Sequence, residues 1–123
     1  MSLYPLFANL NQRLVLVVGG GAVGERKVAA LRKTGAVIMV VAPRVSANLQ
    51  AWAKAGFIRH IPEAFHESQL DRIWLVVAAT DDRALNQRIA AEAWRRCIFV
   101  NVVDDVALSS FQVPALVDRS PLM

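Results

Sequence analysis

The sequence contains one cysteine, Cys97, among 123 residues, and it has no long hydrophobic run. A single cysteine excludes an internal disulfide bond, which favours a reducing, cytoplasmic setting. No apolar stretch approaches the roughly 20 residues that a membrane-spanning helix needs, and the first residues lack the pattern of a signal peptide. We therefore expect a cytoplasmic protein that does not associate with a membrane.

Acidic residues are also in short supply, with 10 Asp and Glu against 14 Lys and Arg, for a formal net charge of +4. The basic residues are scattered along predicted helices and do not form a compact tract interleaved with aromatic residues, so we do not expect nucleic acid as a partner. A small polyanionic molecule is the more specific candidate for a ligand. A hydrophobic content of 55% over this length fits one well-buried α/β domain covering 1–123.

The most informative stretch is an apolar run at 15–18 that leads directly into glycines with the spacing G-x-G-x-x-G. Gly19 permits a tight turn off a strand, Gly21 lets backbone amides approach a pyrophosphate, and Gly24 lets a helix pack closely on the sheet. A helical pattern follows at 25–35. This context predicts a dinucleotide site, and an ordinary glycine-rich loop between a strand and a helix is the alternative.

The rest of the chain alternates between apolar, β-rich runs and helical patterns. Such alternation predicts a Rossmann-like, doubly wound parallel sheet of about five strands in the order 3-2-1-4-5, with a short C-terminal extended segment. We expect strands at about 13–18, 36–42, 57–61, 73–79 and 98–103, a helical turn at 69–71, and the extended segment at 109–117. Helices are expected at 25–35, from the N-cap Ser46 to 55, and from a cap at either Asp81 or Asp82 to about 96.

The type of dinucleotide is left open by the residues that end the second strand. In many NAD sites an acidic residue stands there and binds the ribose 2′-hydroxyl. This chain has Ala42, Pro43 and Arg44 instead. Arg44 either faces a 2′-phosphate, which favours NADP, or lies along the adenine. These residues therefore predict a dinucleotide without deciding between NAD and NADP.

Five motifs in order give the chain a family resemblance. They are Gly19 to Lys27, Ala78 to Asp82 with Leu85 and Asn86, Asn101 to Asp104, Ser110 and Phe111 with Pro114, and Asp118 to Leu122. This series closely resembles the amino-terminal module of siroheme synthase, and the resemblance covers essentially the whole chain. It implies oxidation of precorrin-2 to sirohydrochlorin by NAD, followed by insertion of Fe²⁺ to give siroheme.

The resemblance also implies site residues. Asp104 serves both steps as the catalytic carboxylate, although by spacing alone an aspartate after a strand is more often a turn residue. The residues expected to bind the cofactor are Gly19, Gly21, Ala22, Val23, Gly24, Pro43 and Arg44, with Thr80 and Asp81 at the nicotinamide ribose. Asn101 either orients the cofactor or closes the turn. We expect no preformed metal site, because His60 and His66 have no matching Cys or carboxylate cluster.

In the family the chain continues past the position of Met123 into a helical segment used for dimer formation. The resemblance thus implies the N-terminal fragment of a longer, homodimeric siroheme synthase that takes a tetrapyrrole substrate. A non-enzymatic dinucleotide-sensing domain is the alternative, although such domains usually keep the acidic residue that is missing near Arg44. An unrelated NAD-dependent oxidoreductase is a third possibility, but the chain has no Tyr-x-x-x-Lys pair, and its only tyrosine is Tyr4.

Overall fold

Five short strands, rich in valine, form one parallel sheet in a computed structural model that describes residues 4–111. The strands are β1 (Leu14–Val18), β2 (Val37–Val41), β3 (Arg59–Ile61), β4 (Leu75–Ala78) and β5 (Phe99–Val102). Their order across the sheet is β3-β2-β1-β4-β5, with every pairing parallel. The predicted fold class and strand order are confirmed.

The register of the strands brings their carboxyl ends to one edge. Val18 of β1 pairs with Val41 of β2 on one side and with Ala78 of β4 on the other, and Ala78 pairs in turn with Val102 of β5. These are the last residues of the four strands. The four loops that follow therefore leave the sheet side by side, as expected for a ligand site in a doubly wound sheet.

Helices cover both faces of the sheet, which explains why its strands are apolar without interruption. They are α1 (Ala22–Arg32), α2 (Ala47–Lys54) and α3 (Arg83–Arg95). Alternate residues of β1 belong to two separate buried clusters, one with α1 and α2 and the other with α3. The first cluster includes Val15, Val17, Val28 and Leu49, and the second includes Leu16, Val18, Ile89 and Ala93.

The helix starts follow the capping residues in the sequence. Gly21 is the N-cap of α1, so α1 starts three residues before the predicted position at 25 and includes Gly24. The Ser46 side chain accepts a hydrogen bond from Leu49 N at 3.3 Å, as expected for the cap of α2. Of the two candidate caps of α3, Asp82 is the one that accepts from a first-turn amide, Leu85 N at 3.1 Å.

Two further element bounds predicted from the sequence are wrong. β3 has three residues and not five, because Phe57 still belongs to the turn at the end of α2, where its N–H donates to Trp52 O at 2.9 Å. The Phe57 ring lies against Arg32, whose guanidinium carbon is 4.1 Å from the centre of the ring. The helical turn expected at 69–71 is a 3₁₀ helix, Glu67–Leu70, capped by His66. His66 Nδ1 accepts from Ser68 N at 3.2 Å, a cap that the usual Ser, Thr, Asp and Asn rule misses.

The extended segment predicted at 109–117 lies mostly outside the described residues, as do the motif residues Pro114 and Asp118 to Leu122. The part that is described, 109–111, forms no strand. Within residues 4–111, every helix is too short or too polar to cross a bilayer.

Candidate functional site

The glycines between β1 and α1 are needed mainly for close packing. Gly19 has a φ of +128°, and a Cβ there would lie 2.4 Å from the carbonyl oxygen of Ala79. A Cβ on Gly24 would lie 2.3 Å from the carbonyl oxygen of Gly19, and one on Gly20 would lie 2.2 Å from that of Arg44. No side chain fits these gaps, so the loop runs directly against the ends of its neighbours.

Gly21 differs, because a Cβ there would meet nothing within 4 Å. It is the N-cap of α1, and no side chain caps the helix at this end. The first-turn amides, which include those of Ala22, Val23 and Gly24, have no partner within the helix itself. Open space beside uncapped amides at a helix N-terminus suits a phosphate group, so these residues fit the pyrophosphate of a dinucleotide.

The loop from β2 to α2 lies beside the glycine loop. Gly19 N donates to Val41 O at 3.0 Å, and Ser46 N donates to Gly20 O at 2.8 Å. A cavity of about 510 Å³ opens on this side of the site. Its lining residues are Pro43, Arg44, Val45, Gln50, Ala53, Lys54 and His60. No acidic side chain lines this cavity, in agreement with the missing acidic residue at the end of β2.

Thr80 and Asp81 follow β4. The Thr80 hydroxyl donates to Asn86 Oδ1 at 2.6 Å, and Asn86 Nδ2 donates back to Thr80 O at 3.0 Å. Asn86 is buried, so this pair fixes the turn from β4 into α3. Asp81 is exposed at the loop surface. The motif that contains Asn86 was noted in the sequence, but its role in holding Thr80 was not.

Asn101 is buried on β5, with 7% of its surface exposed. Its Nδ2 donates to Phe111 O at 3.3 Å, whereas its Oδ1 has no hydrogen-bond partner among the described residues. A buried amide oxygen without a donor is costly, and it marks a place where a ligand or water completes the bonding.

Asp104 has a φ of +61°, in the left-handed region that few residues other than glycine adopt. Its neighbour Asp105 accepts from Leu108 N at 3.2 Å through Oδ1, which is the usual role of an aspartate in a turn. Asp104 is the third residue of a turn that Asp105 N closes by donating to Val102 O at 3.1 Å, a position where a positive φ is common.

A cavity of about 420 Å³ brings Asn101 and Asp104 together with the outer face of α1. Its lining residues are Arg26, Lys27, Ala30, Asn101 to Val106, Ser109 and Phe111. Arg26 and Lys27 were treated as solvated helix residues in the sequence. Their position directly after the glycine motif was the available signal that they belong to the site.

The predicted site residues therefore fall into three groups along one edge of the sheet. Pro43 and Arg44 lie beyond β2, and Asn101 and Asp104 lie beyond β5. The glycine loop and Thr80 lie between these groups, because β1 and β4 separate β2 from β5. Within residues 4–111, no group of three or more His, Cys, Asp or Glu side chains is placed to hold a metal ion.

A family model described as "Putative NAD(P)-binding" matches residues 6–115. The chain belongs to this NAD(P)-binding family. A nicotinamide dinucleotide is therefore its cofactor class, which agrees with the open amides at Gly21 and with the packing of the glycine loop.

Individual relatives extend this result. The chain is 52% identical to the siroheme synthase of Xylella fastidiosa (strain M12) over 122 residues, and 51% identical to siroheme synthase 1 of Cronobacter sakazakii over 123 residues. These matches cover 98% and 100% of this chain but 26% of each relative, so the chain spans about a quarter of their length. The predicted resemblance to siroheme synthase is confirmed.

A solved structure gives the same indication. The chain is similar to SirC, a precorrin-2 dehydrogenase, with a TM-score of 0.82 and 33% sequence identity, over 92% of this chain and 55% of that one. The likeness covers nearly all the described residues and confirms the Rossmann-like architecture.

Proposed function

We propose that this chain is the dehydrogenase module of a siroheme synthase and that it oxidises precorrin-2 to sirohydrochlorin with NAD. One observation carries the proposal: Asn101 and Asp104 line the same cavity at the end of β5, together with Arg26 and Lys27 of α1, the helix that follows the glycine loop. The names of the relatives, siroheme synthase and precorrin-2 dehydrogenase, support it.

The cofactor would be held by three loops. The residues from Gly19 to Gly24, including Ala22 and Val23, would take the pyrophosphate, and Pro43 and Arg44 the adenosine end. Thr80 and Asp81 would border the nicotinamide ribose. NAD is the dinucleotide that the family resemblance implies. When bound, its nicotinamide ring accepts the hydride that precorrin-2 loses.

The chain's own contribution is to position the substrate and take up a proton. Oxidation of precorrin-2 removes one hydride and one proton, giving sirohydrochlorin, the reduced cofactor and H⁺. The carboxylate of Asp104 receives the proton, a role that requires a base beside the reacting carbon. Asn101 Oδ1 accepts a hydrogen bond from a pyrrole N–H. Arg26 and Lys27 add positive charge to the cavity, which suits a substrate with several carboxylate arms.

The second proposed step is insertion of Fe²⁺ into sirohydrochlorin. Two pyrrole N–H protons leave as the iron enters, and the carboxylate of Asp104 would receive them in turn. The macrocycle nitrogens would be the iron ligands. Iron is a substrate in this scheme.

We further propose that the chain is the N-terminal module of a longer cytoplasmic protein that forms a homodimer. The support for a longer protein is that the relatives match this chain over 26% of their length, and the N-terminal position, the cytoplasmic setting and the homodimer are what the family resemblance implies. A dinucleotide-sensing domain is the competing function. It has no use for a cavity that brings Asn101 and Asp104 together, and this observation favours the enzyme.

The test is the substitution Asp104→Asn, followed by the appearance of reduced nicotinamide and the sirohydrochlorin spectrum in one assay. Loss of the proton acceptor should lower kcat by at least about 100-fold, as for other general bases. The dissociation constant for NAD should stay within about twofold, because Asp104 lies outside the nucleotide loops.

The control is Asp71→Asn, which changes an exposed carboxylate paired with Arg96 Nη1 at 2.7 Å. This variant should oxidise precorrin-2 at the wild-type rate. Normal turnover by Asp104→Asn would show that the catalytic assignment is wrong.

A further inference from the structure

Glu25 lies in the first turn of α1, and its carboxylate contacts the residues that begin α2. Oε1 accepts a hydrogen bond from Ser46 Oγ at 2.7 Å, and Oε2 accepts one from Asn48 Nδ2 at 3.1 Å. The bond from Ser46, and then that from Asn48, hold the pKa of Glu25 below its ordinary value. The carboxylate is therefore ionised at neutral pH and joins two segments that are more than 20 residues apart in the chain.

The same two segments also meet through their backbones. Ser46 N donates to Gly20 O at 2.8 Å. A Cβ on Gly20 would lie only 2.2 Å from the carbonyl oxygen of Arg44. The glycine loop and the loop that carries Pro43 and Arg44 are thus in direct contact, and Glu25 adds a side-chain clamp at the α2 end of that loop.

We propose that Glu25 is a positioning residue for the adenosine end of the dinucleotide, acting through Ser46 and Asn48. In this fold the pyrophosphate binds at the glycine loop, and the adenosine ribose binds at the end of the second strand. The two loops must therefore keep a fixed separation if both are to contact one ligand. The inference rests on the proposed function, since it assigns a role at the same nucleotide site.

The sign of the effect on affinity distinguishes positioning from simple charge. A carboxylate in the first turn of α1 lies near the proposed pyrophosphate site, and like charges repel. If Glu25 acted through its charge alone, removing that charge would strengthen the binding of a dinucleotide. If Glu25 acts as a clamp, removing its acceptor oxygens weakens binding despite the lost repulsion.

The experiment measures calorimetric dissociation constants of the full chain for NAD, ADP-ribose and nicotinamide mononucleotide. Glu25→Ala should bind NAD and ADP-ribose about 10-fold more weakly, the effect of losing hydrogen bonds to a charged group. Glu25→Gln keeps an acceptor for Ser46, so it should stay within about threefold of the wild type. Binding of nicotinamide mononucleotide, which lacks adenosine, should not change.

Two further variants protect the test against a folding defect. Asn48→Ala removes one of the two bonds at an exposed residue, and we expect about threefold weaker binding of ADP-ribose. Glu67→Ala removes another carboxylate, one that pairs with Arg88 Nε at 2.8 Å on the 3₁₀ helix, and should leave binding unchanged. Thermal unfolding of each variant checks that the compared proteins are folded.

Unchanged or tighter binding of ADP-ribose by Glu25→Ala would overturn the proposal, as would an equal loss in Glu25→Gln. Failure of the proposed function looks different. In that case the wild type and the variants would bind ADP-ribose as expected, whereas no form of the protein would oxidise precorrin-2.

Discussion

Gly20 and Gly21 are adjacent residues with opposite surroundings. A Cβ on Gly20 would lie 2.2 Å from the backbone oxygen of Arg44, whereas one on Gly21 would meet nothing within 4 Å. Gly20 therefore serves the packing of the protein, and Gly21 leaves space beside the first-turn amides of α1. The two roles predict different consequences for the same change to alanine.

Gly21→Ala should fold with nearly wild-type stability, since replacing glycine at an N-cap by alanine costs about 1 kcal/mol or less. It should bind NAD about 10-fold more weakly, because the new methyl group occupies space proposed for the pyrophosphate. Gly20→Ala should lose about 2 kcal/mol or more of unfolding free energy, because backbone must move to admit the Cβ. Urea denaturation measures the unfolding free energy of both variants, and NAD titration measures their dissociation constants. Equal stability of the two variants would contradict it.

How far single residues can be predicted depends on whether their role is local. The glycine spacing and the caps at Ser46 and Asp82 follow from local backbone geometry, so the sequence indicates them, although it did not choose between Asp81 and Asp82. The unpartnered oxygen of Asn101 depends on which groups the fold brings near it. Glu25 is similar, because its partners lie more than 20 residues away. No local pattern reports such contacts.

At the scale of elements, β5 is an edge strand of the described sheet, and two serine side chains bond to backbone amides on the edge that no strand pairs with. Val100 N donates to Ser110 Oγ at 2.7 Å, and Val102 N donates to Ser109 Oγ at 2.8 Å. The hydroxyls take the place of carbonyl groups on a neighbouring strand. They also fix the return of the chain after Asp104, which makes the position of this carboxylate depend on them.

Ser110→Ala should leave the amide of Val100 without an acceptor at a buried position. We expect the unfolding free energy to fall by about 1–3 kcal/mol, the cost of an unsatisfied buried donor. Hydrogen exchange at the Val100 amide should be faster than in the wild type. Ser68→Ala, which removes a hydroxyl that bonds to His66 Nδ1 at 2.8 Å on the exposed 3₁₀ helix, should not change the exchange at Val100. Unaltered exchange at Val100 would show that the serine does not support the strand.

The end of α3 carries a pH-dependent ion cluster. Glu92 accepts hydrogen bonds from Arg95 and Arg96, with Arg96 Nε at 2.7 Å, and these bonds lower its pKa to about 2. A carboxylate with a lowered pKa stabilises the fold fully above its ordinary pKa, 4.5, and the stabilisation disappears as the pH falls towards 2. Thermal unfolding of the wild type and Glu92→Gln should therefore differ at pH 7 and converge near pH 2. A difference in unfolding temperature that stays the same from pH 7 to pH 2 would contradict the lowered pKa of Glu92.

Elements were predicted well where burial dominates and poorly where it does not. The central strands are apolar throughout because helices cover both of their faces, and their bounds were close to those observed. β3 is at the other edge of the sheet, and its apolar neighbour Phe57 is 55% exposed and contacts Arg32. The 3₁₀ helix depends on a histidine cap. In both cases local contacts that the hydrophobic pattern does not report set the bounds of the element.

At the scale of the whole molecule, the site is a row of loops whose cavities lie at opposite ends. The proposed adenosine end lies beyond β2, and the proposed substrate end lies beyond β5. The second cavity, about 420 Å³, is bounded within the described residues by α1 and the 101–111 stretch. We propose that the tetrapyrrole substrate makes further contacts outside this cavity, in the rest of the proposed longer protein.

We expect this chain to bind NAD but to oxidise precorrin-2 far more slowly than a version extended past Met123. The nucleotide loops belong to the described residues, whereas the substrate cavity would be completed by the extension. Both forms are compared in one assay of reduced nicotinamide and sirohydrochlorin. Equal rates would show that the chain carries a complete site. NAD binding without oxidation in either form would favour the dinucleotide sensor.

The order of the strands fixes the distance between the two ends of the proposed cofactor site. Three strand spacings separate β2 from β5, roughly 14 Å in total. This span is set by backbone hydrogen bonding, so it stays constant while the loops at either end vary in sequence. The proposed choice of dinucleotide at Arg44 and the proposed choice of substrate at Asp104 should thus be mechanically independent. Evolution or design can change one of them without readjusting the other.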